Sequence, residues 1–400
     1  HKEIKKKKVI KMKIRDKFLP YCVPLHDERE NAAVLEAIES NWWSRGPKVA
    51  EFEKQFAEFI GVKHALALNS CTAALHLAMK GKGLGPGDEV IVTDMTFCST
   101  VNTIVNCGAT PVFADCDSET GLIDVDGIEK LITERTRAIV PVHYAGRPCD
   151  MDRINDIAKK HGLFVIEDAA HAVYTTYKDR LIGSDGNPTA FSFYATKNIA
   201  TGEGGMLTTN DDELYEKAAV LSCHGMSRTA WNRYGKGGKW RYDVLEAGFK
   251  YNMTDIAAAL GLVQLSRIDE MQAKREEYAK IYNERFADIK GVGILPDTTL
   301  GRNAWHIYGI KIKKGELKID RDEFIDILTD KYLVGTSVHF IPVHLHPFYR
   351  EHFGTKPGDC PGAEHFFEEI ISIPLNPSMT KDDVLYVADA VAEIARDNAK

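Results

Sequence analysis

The sequence predicts an α/β fold in which a mostly parallel β-sheet is covered by helices on both faces. Two observations lead to this prediction: short apolar runs recur through the first half of the chain, and helical segments separate them. Parallel strands that are buried on both faces read as continuous apolar runs, and helices usually connect them. Ligands of such sheets bind beyond the carboxyl ends of the strands, so a site is expected in the loops there.

The elements follow in order along the chain. Helices are expected at residues 72–80 and at 151–161, which Gly162 ends. After Asn252, apolar residues share one stripe of a long helix that continues to about Phe286. The strands of the sheet are expected at residues 64–68, 89–93, 110–115, 138–144 and 163–168.

The length of the chain predicts more than one domain, because 400 residues is long for a single core. We predict a basic extension at residues 1–20 and a large domain at 21–265. A smaller α+β domain is expected at residues 266–400, including the long helix as a bridge between the domains. The stretch GKGGKW, residues 235–240, is predicted to be a mobile loop.

Composition excludes several classes of protein. The net charge of −7, with Lys5–Lys8 as the basic run, argues against nucleic-acid binding. No apolar stretch approaches the roughly 20 residues of a membrane span. The eight cysteines lack CxxC spacing, so neither a disulfide framework nor a zinc knuckle is expected. We therefore expect a cytoplasmic protein with reduced thiols.

The segment TAFSFYATKNIATGEGG, residues 189–205, brings Lys197 from a buried strand into a glycine-rich loop. A buried lysine must be paired or lose its charge, so Lys197 is a candidate for a neutral amine or a Schiff base. The alternative is a surface lysine at the end of a strand. Ser192 lies upstream in the same segment.

Three further strand-end loops carry candidate binding residues. Cys71 and Thr72 begin a helix whose free N–H groups could bind a phosphate. An ordinary helix cap without a phosphate would have the same sequence pattern. Asp168 follows a hydrophobic strand, in EDAAH with His171, and could hold a cationic ring nitrogen, cap the next segment or bind a metal. Phe97 could stack on a planar ligand or lie in the core. Together with Lys197, these residues match the needs of pyridoxal 5′-phosphate.

These residues, in this order, resemble the DegT/StrS family of sugar aminotransferases, which have the fold-type-I architecture of pyridoxal 5′-phosphate enzymes. The resemblance covers most of the chain, and PVHYAGRPCDMD with His224, Trp231 and Arg233 is closest to the UDP-4-amino-4-deoxy-arabinose aminotransferases. The matching segments are WWSRGPKVAEFE, NSCTAALHLA, VIEDAAHA, FSFYATKNIATGEGG, GFKYNMTDIAAALGLVQL and HFIPVHLHPFY.

The resemblance assigns a role to each site residue. Lys197 forms the Schiff base, Asp168 pairs with the pyridine nitrogen, and His171 lies near the ring hydroxyl. Asn252 reaches the phosphate of a neighbouring subunit's cofactor, which implies a homodimer with shared active sites, although Asn252 reads equally well as a helix cap. The phosphate contacts are Cys71, Thr72 and Ser192. The aromatic side chain that stacks on the ring is Phe97. Ser44 and His344 are the expected substrate contacts.

The implied function is transfer of an amino group from L-glutamate to a nucleotide-linked keto sugar, expected to be a UDP-4-keto sugar. The product would serve cell-surface polysaccharide or lipid A (lipopolysaccharide) sugar biosynthesis. Alternatives are a cyclitol or aminobenzoate enzyme and a nonenzymatic cofactor-binding regulator. Lys197 argues against relatives that dehydrate sugars, since they carry histidine there. His339, His344 and His346 lie in a proline-containing segment, and no metal site is predicted for them.

Overall fold

The apolar runs form two four-stranded sheets in the computed structural model, which describes residues 12–227 and 242–400. The N–H groups of Ile166 and Asp168 donate to the carbonyls of Ile139 and Pro141 and so join the two into one large mixed sheet. Strands β3, β2, β4 and β5 pair in parallel in that order. After one interrupting residue, Ile166, the chain continues as β6, which pairs in parallel with β9. The strands up to residue 209 are β1 His64–Leu68, β2 Glu89–Thr93, β3 Thr110–Ala114, β4 Thr136–Val140, β5 Phe164–Val165, β6 Glu167–Asp168, β7 Thr176–Tyr177, β8 Arg180–Leu181, β9 Thr189–Ser192 and β10 Gly205–Thr209.

Strand β10 separates β9 from β1 and runs antiparallel to both of them. Strands β7 and β8 form a separate hairpin. Apolar clusters cover both faces of the large sheet, with Phe56, Phe191 and Phe193 in one cluster and Leu66 and Leu207 in the other. The predicted α/β fold with a mostly parallel sheet is therefore confirmed.

The helices lie between these strands and after them. In chain order they are α1 Glu28–Glu39, α2 Pro47–Ile60, α3 Cys71–Gly81, α4 Cys98–Asn106, α5 Val125–Ile128, α6 Met151–His161, α7 Asp212–Leu221, α8 Asp255–Ser266, α9 Ile268–Phe286, α10 Arg321–Asp330, α11 Pro347–Phe353, α12 Pro361–Glu369 and α13 Lys381–Asp397.

The single long helix expected after Asn252 is two helices, because Arg267 leaves helical geometry with φ −107° and ψ 6°. The guanidinium of Arg267 is buried against Glu30, with a distance of 2.7 Å between Nη1 and Oε1. This buried ion pair joins α1 to the junction of α8 and α9. The continuous apolar stripe hid the break, since both helices are apolar on the side that packs.

The C-terminal part is built on a three-stranded antiparallel sheet in the order β11 Val292–Ile294, β12 Tyr308–Ile312 and β13 Ile370–Ile373. Helix α9 joins two cores: Ile268 and Met271 pack with the large sheet, whereas Tyr278 and Tyr282 pack with the C-terminal part. Leu19, in the predicted N-terminal extension, also packs in the C-terminal core. The domain bounds themselves stay a prediction.

Some expectations fall outside the described residues. These are the basic run Lys5–Lys8, the loop at residues 235–240, and Trp231 and Arg233 of the branch resemblance. Among the helices that the structure describes, none has the length and apolar character needed to cross a bilayer.

Candidate active site

A cavity of about 380 Å³ lies beyond the carboxyl ends of the parallel strands, where such folds bind ligands. Strands β6 and β9 both end at its floor, and the first turn of α3 forms one wall. Seven of the residues that the sequence singled out line this cavity together: Cys71, Thr72, Phe97, Asp168, His171, Ser192 and Lys197. The shared location makes them one site.

The start of α3 offers backbone donors to an anion. Ser70 caps the helix, and its hydroxyl accepts from the Ala73 N–H at 3.1 Å. The N–H groups of Cys71 and Thr72 lie in the first turn, where an α-helix has no internal acceptors for them. Ser192 lines the same cavity. This cradle of donors fits a phosphate.

Strand β10 must pass very close to this cradle, and Gly205 makes that possible. A Cβ atom at Gly205 would lie 2.5 Å from the carbonyl oxygen of Ser70, and closer still to Ser70 C and Cys71 N. These are backbone atoms, so no side chain could turn aside. The glycine of the Lys197 loop therefore allows the cradle to form.

Asp168 is a buried carboxylate without a cationic partner among the described ion pairs. It is 4% exposed, and burial raises the pKa of its carboxyl group. The Thr100 hydroxyl donates to Oδ2 at 2.7 Å, and the Ala170 N–H donates to Oδ1 at 3.0 Å. A further hydroxyl, from Thr96, lies 2.8 Å from Thr100 Oγ1. A protonated ring nitrogen would supply the positive charge that this carboxylate lacks.

Lys197 enters the cavity from the turn after β9. Its N–H donates to the Tyr194 carbonyl at 2.8 Å, and its side chain is half-buried. Loss of hydration lowers the pKa of Lys197 to about 8, while Cys71 and Asp168 act in the opposite direction. A lysine with such a pKa is partly neutral near pH 7 and can act as a nucleophile or a base.

His171 and Phe97 complete the walls of the cavity. The Ala145 N–H donates to His171 Nδ1 at 3.2 Å, so the proton of the neutral ring lies on Nε2. Burial lowers the pKa of His171 well below its usual range, and nearby Lys197 lowers it further. Phe97 is 58% exposed, which excludes the core position left open by the sequence and leaves a free face for a planar ligand.

Three predicted site residues do not line this cavity. Ser44 is exposed in the loop before α2. Asn252 is not a helix cap, because Thr254 caps α8 by accepting from the Ala257 N–H. The side-chain oxygen of Asn252 is buried and has no hydrogen-bond partner within the described part of the chain.

His344 is fully buried, and both of its ring nitrogens are bonded to carboxylates. Nδ1 lies 2.5 Å from Asp94 Oδ2, and Nε2 lies 3.1 Å from Glu364 Oε1. The structure thus places His344 in a buried network outside this cavity, and its contact with a substrate stays a prediction. Cys360 lies beside Asp94 and His344 in this network.

Sequence reasoning missed three residues of the site. His339 lines the cavity, whereas it was considered above only as a possible metal ligand. His306 Nε2 lies 3.4 Å from Lys197 Nζ, and Thr100 reaches Asp168 from α4. His306 and Thr100 belong to distant parts of the chain, and no local spacing marks them.

The residues of this cavity fit pyridoxal 5′-phosphate. The start of α3 and Ser192 would hold the phosphate, and Asp168 would face the ring nitrogen. Phe97 would cover one face of the ring, and Lys197 would reach its aldehyde. The phosphate, the ring nitrogen, the ring face and the aldehyde of the cofactor thus each have a partner of suitable chemistry.

Comparison with known proteins gives the same answer. Residues 24–392 match the model of the DegT/DnrJ/EryC1/StrS aminotransferase family. The chain is 56% identical over 383 residues to the spore coat polysaccharide biosynthesis protein SpsC of Bacillus subtilis, covering 96% of this chain and 98% of SpsC.

Solved structures agree with this match. Spr1654 of Streptococcus pneumoniae, assigned as a sugar aminotransferase and solved in its pyridoxal phosphate form, has a TM-score of 0.88 and 32% identity over 95% of this chain and 99% of its own. Spr1654 is also solved in its pyridoxamine phosphate form. PseC of Helicobacter pylori, an aminotransferase of pseudoaminic acid biosynthesis, has a TM-score of 0.88 and 32% identity over 95% of this chain and 100% of its own.

These findings confirm the fold-type-I architecture, the pyridoxal 5′-phosphate cofactor and the assignment as a sugar aminotransferase. The arabinose branch stays a prediction. From the family match over most of its length and from the geometry of its cavity, we conclude that the chain belongs to the DegT/DnrJ/EryC1/StrS aminotransferase family.

Proposed function

We propose that this protein transfers the amino group of L-glutamate to a nucleotide-linked keto sugar, with Lys197 as the covalent and proton-transferring residue. The observation that carries the proposal is the position of Lys197. Its amine has a pKa of about 8 and lines the same cavity as the buried carboxylate of Asp168. A nucleophilic amine and a buried acid are the two groups that transamination requires of the protein.

The cofactor, when bound, supplies an aldehyde for amine exchange and an electron-withdrawing ring that accepts electron density from the substrate carbon. Asp168 would hold the ring nitrogen protonated, and the hydrogen bond from the Thr100 hydroxyl orients the carboxylate and favours its ionised form. His171 would offer its Nε2–H to the hydroxyl of the ring. Cys71, Thr72 and Ser192 would hold the phosphate, and Phe97 would cover one face of the ring.

Lys197 then acts in two ways. As a free amine it takes the proton from the α-carbon of glutamate. In the second half-reaction it gives a proton to the sugar carbon that receives the amino group. The lowered pKa suits both steps, because a useful fraction of the amine is neutral near pH 7 and its conjugate acid still donates readily.

The active site is proposed to be completed by a second copy of the chain. Asn252 would donate from its amide nitrogen to the phosphate of the other copy. Its buried side-chain oxygen, which has no hydrogen-bond partner among the described residues, would accept from a donor of that copy. Large apolar side chains also remain exposed in this single chain, and a second copy would cover some of them: Leu35, Ile38, Trp42, Trp43, Val244 and Leu245. Ser44 lies beside these residues and is proposed as a substrate contact.

The sugar is proposed to enter cell-surface polysaccharide synthesis. The named role of SpsC in spore coat polysaccharide synthesis and that of PseC in pseudoaminic acid synthesis support this assignment. A cytoplasmic location would give the enzyme access to nucleotide sugars.

A panel of nucleotide keto sugars tests the proposal. With L-glutamate present, we expect 2-oxoglutarate and an amino sugar nucleotide to form in equal amounts, as measured by coupled assay and mass spectrometry. Amination of free cyclitols but of no nucleotide sugar would replace the proposed substrate class. Bound cofactor without turnover of any substrate would favour the regulator.

A further inference from the structure

The environment of Lys197 contains a hydrogen-bonded chain that the proposed mechanism does not use. Asn198 Nδ2 donates to the Ala304 carbonyl at 2.9 Å. This bond fixes the amide, so Asn198 Oδ1 is the atom that faces His306 Nδ1 at 3.1 Å. An amide oxygen can only accept a hydrogen bond, and the proton of neutral His306 must therefore lie on Nδ1.

The consequence is a lone pair on the other ring nitrogen. His306 Nε2 lies 3.4 Å from Lys197 Nζ, within reach of an N–H of the lysine. Asn198 and His306 are both buried, so water does not compete strongly for these contacts. Lys197 and its neighbour Asn198 thus both contact His306, which comes from the C-terminal part of the chain.

We propose that His306 is a further catalytic residue, which accepts a hydrogen bond from Lys197 Nζ and holds the lysine amine in one orientation. Asn198 is a positioning residue that sets the tautomer of His306. The inference rests on the proposed role of Lys197. Orientation matters because a nucleophile that is displaced by about 1 Å from its target can lose about a hundredfold in rate.

His306 acts here as an acceptor and not as a base. Burial lowers the pKa of His306 well below its usual range, with Lys197 and His171 adding to the effect. The pKa of Lys197 is about 8, so the proton stays on the lysine. The pKa of His339 is likewise lowered, to about 3. The titratable groups that face Lys197 are Cys22, Cys71, Asp168, His171, His306 and His339.

The inference predicts a shift in the titration of Lys197. A hydrogen bond from an ammonium is stronger than one from a neutral amine, so removing the acceptor in His306→Phe is expected to lower the pKa of Lys197 by about 0.5–1 unit. His306→Gln, whose Oε1 can take the place of Nε2, is expected to bring the pKa back. Asn198→Leu is expected to shift it in the same direction as His306→Phe, but less.

The measurement is competitive acetylation of the full-length chain freed of cofactor, followed across pH by mass spectrometry of the Lys197 peptide. A second measurement is the rate of covalent attachment of pyridoxal 5′-phosphate at high pH, where the amine is neutral in all variants. There His306→Phe is expected to be at least about tenfold slower, because the amine has lost its orientation. His64→Phe, in a histidine that pairs with Asp212 at the far end of β1, is the control.

The outcomes separate this inference from the proposed function. If Lys197 of the wild-type chain does not attach the cofactor, the proposed function fails. If it does, but His306→Phe and Asn198→Leu both match the wild type in titration and attachment rate, the inference is overturned. It is also overturned if His306→Gln behaves like His306→Phe. Circular dichroism establishes whether each variant is folded. If His306→Phe does not fold, the titration and attachment rate of Asn198→Leu test the inference in its place.

Discussion

Replacing Gly205 by alanine is expected to weaken cofactor binding by disturbing the phosphate cradle. The new methyl group would lie within 2.5 Å of the backbone of Ser70, whereas ordinary van der Waals contacts of such a group begin at 3.4 Å. Strand β10 or the first turn of α3 must therefore move by close to 1 Å. Overpacking of this kind costs about 1–3 kcal/mol of folding free energy.

The same movement spoils the alignment of the N–H groups of Cys71 and Thr72. A hydrogen bond to a charged group contributes about 1.5–3 kcal/mol, so loss of one such bond corresponds to about 10- to 150-fold weaker binding of pyridoxal 5′-phosphate. Fluorescence titration gives the affinity, and urea unfolding without cofactor gives the stability.

Gly85→Ala is the matched control, because the nearest atom to its Cβ would be the Cys107 carbonyl oxygen at 3.9 Å. This variant is expected to bind cofactor like the wild type. The reasoning would be refuted if Gly205→Ala also bound cofactor with wild-type affinity and unfolded at the same urea concentration. The close approach of β10 to α3 would then have no part in the cradle.

Three other predictions concern the acid, the base and the fold. Thr100→Val should weaken cofactor binding about tenfold, because it removes the hydroxyl that donates to Asp168, whereas Thr100→Ser keeps that hydroxyl and should bind like the wild type. Equal affinities of the two variants in a binding titration would contradict this prediction. Only the neutral amine of Lys197 attacks an aldehyde, so the rate of cofactor attachment should fall about tenfold per pH unit well below pH 8 and level off above it. A rate that keeps rising about tenfold per unit beyond pH 9 would contradict the lowered pKa of Lys197. Arg267→Met should lower the free energy of unfolding in urea by about 3–5 kcal/mol, because it leaves the buried carboxylate of Glu30 without its ion-pair partner. Adding Glu30→Gln to this variant should recover part of the loss. A loss below about 1 kcal/mol would contradict a stabilising role of this ion pair.

Residues whose role depends on their place at a strand end could be predicted from the sequence. Lys197, Asp168, Cys71 and Ser192 each follow or end an apolar run, and parallel strands bring such ends to one edge of the sheet. The cavity at that edge contains all four residues. Local sequence pattern was sufficient because the fold itself assembles these positions.

Residues whose role depends on a distant contact could not be predicted. His306 lies 109 positions from Lys197, and its link to the lysine depends on how the C-terminal part packs on the large sheet. The buried network of His344 could not be predicted for the same reason, because its partner Asp94 lies 250 positions away. The break at Arg267 was invisible because its partner Glu30 is in α1.

The most direct test of the central claim is borohydride reduction of the protein with bound pyridoxal 5′-phosphate, followed by peptide mass spectrometry. We predict that the cofactor is found on the peptide that contains Lys197, and that prior addition of L-glutamate prevents this labelling because the cofactor leaves the lysine. Labelling at another lysine, or no labelling at all, would contradict the assignment of Lys197. Labelling of Lys197 that glutamate does not change would contradict glutamate as the amino donor.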